Sequence, residues 1–171
     1  MSGKLARVLR AGLAATVLAG MAALGAARLI EREQLAPVVD YTELDGSRHR
    51  SDELLGQVVL VNFWATSCTS CVHEMPKLMA LHERLHGRGL QTLAVAMSYD
   101  PPAYVVNYAQ SRQLPFTVVI DNTGEIARQF GKVQLTPTTV LIDRRGHIVR
   151  RYVGEPDFTE LQGLIEQLLA A

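Results

Sequence analysis

Residues 57–71 read QVVLVNFWATSCTSC. A nearly continuous apolar run from Gln57 to Trp64 gives way to a short polar turn and then to two cysteines, Cys68 and Cys71, the only cysteines in the chain. An apolar run of this length, rich in β-branched residues, is the pattern of a strand buried on both faces. Beyond it, Met75, Leu78, Met79, Leu81 and Leu85 recur at helical spacing, and Gly87 and Gly89 supply a stop. The stretch therefore predicts a strand, a tight turn and a helix from about Cys68 to His86, with the first cysteine at the mouth of the helix.

Outward from this unit the same alternation continues. VVDYTEL with the Asp45-Gly46 turn predicts an N-terminal hairpin, residues 90–97 a strand, 102–113 a helix, 116–121 a strand and 125–131 a short helix. Residues 138–143 and 147–153 form an antiparallel pair through Arg144–Gly146, and Phe158, Leu161, Leu164, Ile165 and Leu168 mark the buried face of a last helix over about 157–169. Alternating strands and helices closed by a hairpin and a covering helix define an α/β domain, a central mixed sheet with helices on both faces. In such sheets chemistry gathers at the carboxyl ends of the parallel strands, where the cysteine pair stands.

Of the roles open to two cysteines three apart, several lack their other parts. Structural zinc needs about four ligands, and no second cysteine pair or paired histidine set accompanies Cys68 and Cys71. Covalent haem attachment needs histidine directly after the second cysteine, whereas Val72 intervenes before His73. A staple over two intervening residues would gain little chain entropy. A working dithiol fits best. At a helix N-terminus the Cys68 sulfur faces free backbone N–H groups and the positive dipole end, which favour the thiolate, and Cys71 one turn on is placed to resolve a mixed disulfide. The pattern calls for no cofactor and no metal.

The chain has 171 residues, 48% of them hydrophobic, and equal numbers of cationic and anionic side chains, 17 each. That suffices for one ordinary domain and gives no electrostatic reason to expect nucleic acid. The front end is basic, with Lys4, Arg7 and Arg10 preceding 17 uncharged residues from Ala11 to Ala27. Residues 1–30 thus read as a membrane anchor or signal segment with the N-terminus in the cytoplasm, 31–37 as a linker, and 38–171 as the exported domain. An uncleaved anchor is favoured, because the apolar run exceeds an ordinary signal core of about 7–15 residues.

NFWATSCTSCVHEMP (62–76), LPFTVVIDNTGEIARQFG (114–131) and LTPTTVLIDRRGHIV (135–149) resemble the thioredoxin superfamily, more closely its membrane-anchored, extracytoplasmic TlpA- and ResA-like thiol-disulfide oxidoreductases. The resemblance covers most of residues 38–170 and implies a thioredoxin-like fold. It implies catalytic roles for Cys68 and Cys71, a cis proline at Pro137, and substrate contacts by Trp64 and by the backbone of Thr136. It also implies an active-site carboxyl at Glu74, i+3 from Cys71 on the same helix face. From the residues alone, Glu74 reads equally well as a solvated first-turn glutamate. Asn62 stands where cytoplasmic thioredoxins carry a buried aspartate, and Ser67 where relatives usually carry a tryptophan. Pro76 is expected to kink the helix.

The resemblance further implies a monomeric reductase in the periplasm. Its partners would be disulfide-bearing exported proteins, such as apocytochromes c or copper-site assembly proteins, and a membrane electron relay that recharges the dithiol. Two other readings stay open at this point: a Cu(I) carrier using Cys68, Cys71 and His73, and a thiol peroxidase. The latter is weakened because Val61 and Ala65 occupy the Pro and Thr places of its signature. His82 and His86, at i and i+4, have metal-binding spacing without an evident third ligand and read as a solvated face. Met75, Met79 and Met97 read as core filling.

Overall fold

The computed structural model describes residues 34–171. Eight strands, β1 (Gln34–Leu35), β2 (Asp40–Thr42), β3 (Arg48–Arg50), β4 (Val58–Trp64), β5 (Leu90–Ala96), β6 (Thr117–Ile120), β7 (Thr138–Ile142) and β8 (His147–Val153), accompany four α-helices. We number the helices α1 (Thr69–Leu85), α2 (Pro102–Arg112), α3 (Glu125–Gln129) and α4 (Phe158–Ala170).

The main sheet runs β1-β8-β7-β4-β5-β6, parallel across β4, β5 and β6 and antiparallel elsewhere, while β2 and β3 form a separate hairpin. Strand β4 lies in the middle with all seven residues buried. Because successive side chains alternate between faces, Val58, Leu60 and Trp64 join one core and Val59, Val61 and Phe63 the other. The first core lies under α1, α2 and α4, to which they contribute Leu78, Val105 and Leu161 among others. The second is covered by the short α3 and by Val39 and Tyr41 of the N-terminal segment.

That N-terminal segment corrects one expectation. Residues 34–37, assigned to a linker, are part of the domain: Gln34 and Leu35 pair with Ile148 and His147 of β8, and the Ala36 N–H donates to the Gly146 carbonyl. Apolar content is low over 31–37, so no strand signal shows, yet the open edge of β8 offers unpaired backbone groups that a passing segment can satisfy. Glu43 then bridges Val119 on β6, so residues 34–43 pass from one sheet edge to the other across the second core. The expected apolar anchor, 11–27, lies outside the described residues. Among the described residues no helix is long and apolar enough to cross a membrane.

Helix α1 continues through Pro76, whose side is exposed. Its buried stripe is Cys71, Glu74, Met75, Leu78, Leu81, His82 and Leu85, the spacing of a single helical face. Helix α4 is capped by Asp157, which accepts from the N–H groups of Thr159 at 2.8 Å and Glu160 at 3.0 Å. Replacing an N-cap carboxylate by alanine costs about 1 kcal/mol. Asp157→Ala is therefore expected to lower the unfolding free energy by that amount, seen in chemical unfolding as a lower urea midpoint with an unchanged m-value.

Candidate active site

The site begins where β4 ends. The Trp64 carbonyl accepts from Met97 N–H, which holds the last strand residue in register with β5, and the chain turns through Ala65 so that Cys68 N–H returns to the Ala65 carbonyl. Asp100, buried after β5, fastens this turn by accepting from both the N–H and the hydroxyl of Thr66, each at 2.6 Å. Sequence reasoning overlooked Asp100. Its only signal was an acid just past the carboxyl end of the strand beside the dithiol.

Cys68 is the N-cap of α1, with extended backbone (φ −88°, ψ 105°), and its Sγ accepts from the Cys71 N–H at 3.2 Å. Cys68 and Cys71 form a disulfide with their Cα atoms 5.2 Å apart. Cys68 is half-buried whereas Cys71 is wholly enclosed, so only the first sulfur can be reached from outside. The Ser70 hydroxyl lies 3.4 Å from Cys68 Sγ. When the pair is reduced, the N–H already directed at Cys68 and the start of a 17-residue helix favour a thiolate there.

Pro137 is buried and follows a cis Thr136–Pro137 bond. Since Phe63 pairs with Thr138 across β4 and β7, Pro137 lies level with Trp64, at the strand end from which the cysteine turn departs. The Pro137 carbonyl is taken by Gly154 N–H, whereas the backbone N–H and C=O of half-buried Thr136 have no partner among the described residues. The Thr136 hydroxyl is 3.2 Å from that of Tyr99. Exposed Tyr99, Leu135 and Val153 give this end of the sheet an apolar rim.

Glu74 is only 1% exposed, so the solvated alternative gives way. Asn62 lies on the same sheet face as Leu60 and Trp64, beneath α1, and donates from Nδ2 to Glu74 Oε1 at 2.9 Å and to Thr139 Oγ1 at 3.0 Å. Glu74 Oε2 and Asn62 Oδ1 are buried without partners among the described residues. Burial pushes the Glu74 carboxyl up to about 7; the Asn62 hydrogen bond and Lys77 oppose that rise and Glu155 adds to it.

Two expectations require correction. Trp64, assigned to substrate, is fully buried: as an even-numbered residue of β4 it points beneath α1 and packs against Tyr108, ring centroids 5.2 Å apart. His82, assigned to a solvated face, is also buried, 3.1 Å from the Thr92 hydroxyl and stacked on His86. Four residues beyond Leu78 and three before Leu85, it falls on the buried stripe of α1, and burial lowers its pKa. Ser67 is exposed beside half-buried Cys68. His73 is exposed and lies 3.3 Å from Glu155, which also accepts from Lys77 at 2.6 Å. Among the described residues no three His, Cys, Asp or Glu side chains gather as a metal site.

Fold and site together define a thioredoxin-superfamily protein, a redox dithiol on a strand–turn–helix beside a cis proline. Residues 31–165 match the Redoxin family, and the chain belongs to that family. It is 32% identical over 96 residues to the thiol-disulfide oxidoreductase ResA of Geobacillus thermodenitrificans, covering 56% of this chain and 55% of that protein. To ResA of Bacillus thuringiensis it is 30% identical over 133 residues, 78% of this chain and 76% of the relative. The chain thus spans little more than half the length of the first relative and about three quarters of the second. Among solved structures, a protein of Neisseria meningitidis assigned to the thioredoxins superimposes with a TM-score of 0.74 at 38% identity, covering 80% of this chain and 91% of that one. A thiol:disulfide interchange protein of Chlorobium tepidum gives a TM-score of 0.74 at 26% identity, with 81% and 97% covered.

The buried carboxyl has a thermodynamic consequence. Glu74 keeps its proton in the folded chain up to about pH 7 but loses it near its ordinary 4.5 when unfolded. The folded state holds the extra proton between those values, so this stabilisation is complete below about pH 4.5 and is lost as pH rises through 7. The loss is on the order of 3 kcal/mol. Glu74→Gln should remove that slope and leave the oxidised protein more stable than wild type above pH 7. Unfolding at several pH values measures the difference, and parallel curves for the two proteins would contradict the assignment.

Proposed function

We propose that this chain is an extracytoplasmic thiol-disulfide oxidoreductase that reduces disulfides of exported proteins. The observation that carries the reading is Cys68 as helix N-cap, half-buried, with the Cys71 N–H directed at its sulfur and Cys71 sealed behind it. The names of the ResA relatives, thiol-disulfide oxidoreductases, agree with it.

In the reduced protein, the Cys68 thiolate attacks one sulfur of a substrate disulfide. A Cys68–substrate disulfide forms and the other substrate sulfur leaves as a thiolate. Cys71 gives its proton to ionised Glu74, one turn on, and attacks Cys68 Sγ. The Cys68–Cys71 disulfide forms, the second substrate sulfur leaves, and two electrons have passed from the dithiol to the substrate. Protons returned from Glu74 and solvent complete the two product thiols. An electron donor then reduces the pair for the next cycle, a role that fits a membrane relay.

Substrate binding falls to the Thr136 backbone, whose free N–H and C=O can pair with an extended segment, flanked by Tyr99, Leu135 and Val153. Pro137 keeps that position off the sheet ladder because it has no N–H to donate. The basic-then-apolar front end supports an anchor in the bacterial cytoplasmic membrane with the domain in the periplasm. Within this class, apocytochromes c and copper-site assembly proteins are the substrates to try first.

Cys71→Ser should accumulate a stable mixed disulfide on Cys68 with a disulfide substrate, seen as a mass shift that dithiothreitol reverses. No adduct with any disulfide substrate would rule the exchange chemistry out. Equilibration of the wild-type pair against a glutathione series should give a potential well below that of the glutathione couple. A value far above it would assign the protein to oxidation instead.

A further inference from the structure

Three buried polar side chains, Glu74, Asn62 and Thr139, meet beneath α1, and Thr139 has no part in the exchange chemistry derived above. Asn62 and Thr139 are direct cross-strand partners on β4 and β7, both turned to the α1 side of the sheet. Each is about as enclosed as Glu74, at 1% and 2% exposure. A threonine enclosed on the core face of β7, at a site where valine would pack, requires a polar reason.

We propose that Thr139, acting through the Asn62 amide, is a positioning residue that sets where and how tightly Glu74 holds its proton. The amide can face its neighbours in two ways. In the arrangement present, both Nδ2 hydrogens are used, one on Glu74 Oε1 and one on Thr139 Oγ1, and only acceptor oxygens, Asn62 Oδ1 and Glu74 Oε2, are left over. Turned over, the amide would orphan two buried N–H groups, a larger penalty than orphaned oxygens. It would also set Oδ1 against Oε1, tolerable only with a proton on Oε1.

The need to keep both amide hydrogens accepted, one of them by Thr139 Oγ1, thus favours the orientation in which Glu74 Oε1 always accepts, and Oε2 becomes the oxygen that gains and loses the proton. An N–H donated to Oε1 favours the carboxylate and so opposes burial, which keeps the group able to ionise near neutral pH. Without the hydroxyl, one amide hydrogen loses its acceptor, the turned-over amide becomes competitive, and the neutral acid gains. The other charges facing Glu74 are Lys77 on its own helix and Glu155 after β8, which pair with one another, Glu155 also lying against His73; they lie outside this set.

This inference rests on Glu74 serving as the proton acceptor for Cys71, and the experiment separates the two claims. The carboxyl carbon of Glu74 is titrated by NMR in the full oxidised chain for wild type, Thr139→Val, Thr139→Ser and Asn62→Ala, and the pH–rate profile of the resolving step is measured for wild type and Glu74→Gln. Thr139→Val and Asn62→Ala should raise the Glu74 midpoint by about one pH unit, the loss of one hydrogen bond to a charged group. Thr139→Ser, which restores the hydroxyl, should return it to the wild-type position. A wild-type midpoint in Thr139→Val, or an equal rise in Thr139→Ser, overturns the inference. Asn62→Ala supplies the same comparison by a second route if valine at 139 disturbs folding. A pH–rate profile unaltered in Glu74→Gln would instead overturn the exchange role of Glu74, a result independent of the titration.

Discussion

Strand β4 must be buried on both faces and yet end at the surface, and the rest of the molecule is arranged around that constraint. Seven consecutive enclosed residues need a layer on each side, which α1, α2 and α4 supply on one face and α3 with residues 34–43 on the other. They also need a strand on each flank, β5 in parallel and β7 antiparallel. The chain can leave this environment only at Trp64, and it does so through a turn fastened by Asp100. Cys68 consequently emerges at the helix start with its neighbour Cys71 still inside the core. The unequal exposure of the two sulfurs, on which an ordered two-step exchange depends, follows from the position of the strand end.

The same geometry explains the unusual contents of the first core. Helix α1 lies across the middle of the sheet and buries two ionisable residues, Glu74 and His82, each at a place where the sheet presents a polar side chain, Asn62 and Thr92 respectively. Burying a charge costs far more than burying a hydrogen-bonded neutral group, so both groups are pushed toward their uncharged forms, the carboxyl up and the imidazole down. For Glu74 the outcome is a carboxyl balanced near neutrality one turn from the inner cysteine. A proton acceptor for thiol chemistry needs that balance.

Most of the architecture was legible in the amino-acid order. Apolar runs bounded by turn residues located β4, β5, β7 and β8, the 3.6-residue period located α1 and α4, and the paired cysteines after a buried strand pointed to redox chemistry. What escaped were features that depend on a partner distant in sequence. β1 has no hydrophobic signature, since its two residues are exposed and exist as a strand only because the edge of β8 has free backbone groups. Asp100 and Thr139 are ordinary polar residues until the fold sets one beside Thr66, 34 residues away, and the other beside Asn62, 77 residues away. His82 and Trp64 were misread for a different reason: their chemical type suggested solvent or substrate, while their phase in α1 and β4 placed them inside.

By itself, then, the order of residues determined the alternating α/β plan and the place of Cys68 at a helix mouth, because each rests on local periodicity or short spacing; the pairing of Pro137 with the dithiol was implied only by the family resemblance. Only the tertiary structure decided which sulfur is open, that Glu74 is enclosed, and that Asn62 and Thr139 stand against it. Those properties arise from desolvation and from contacts across the sheet, and neither exists until the strands that carry them have come together.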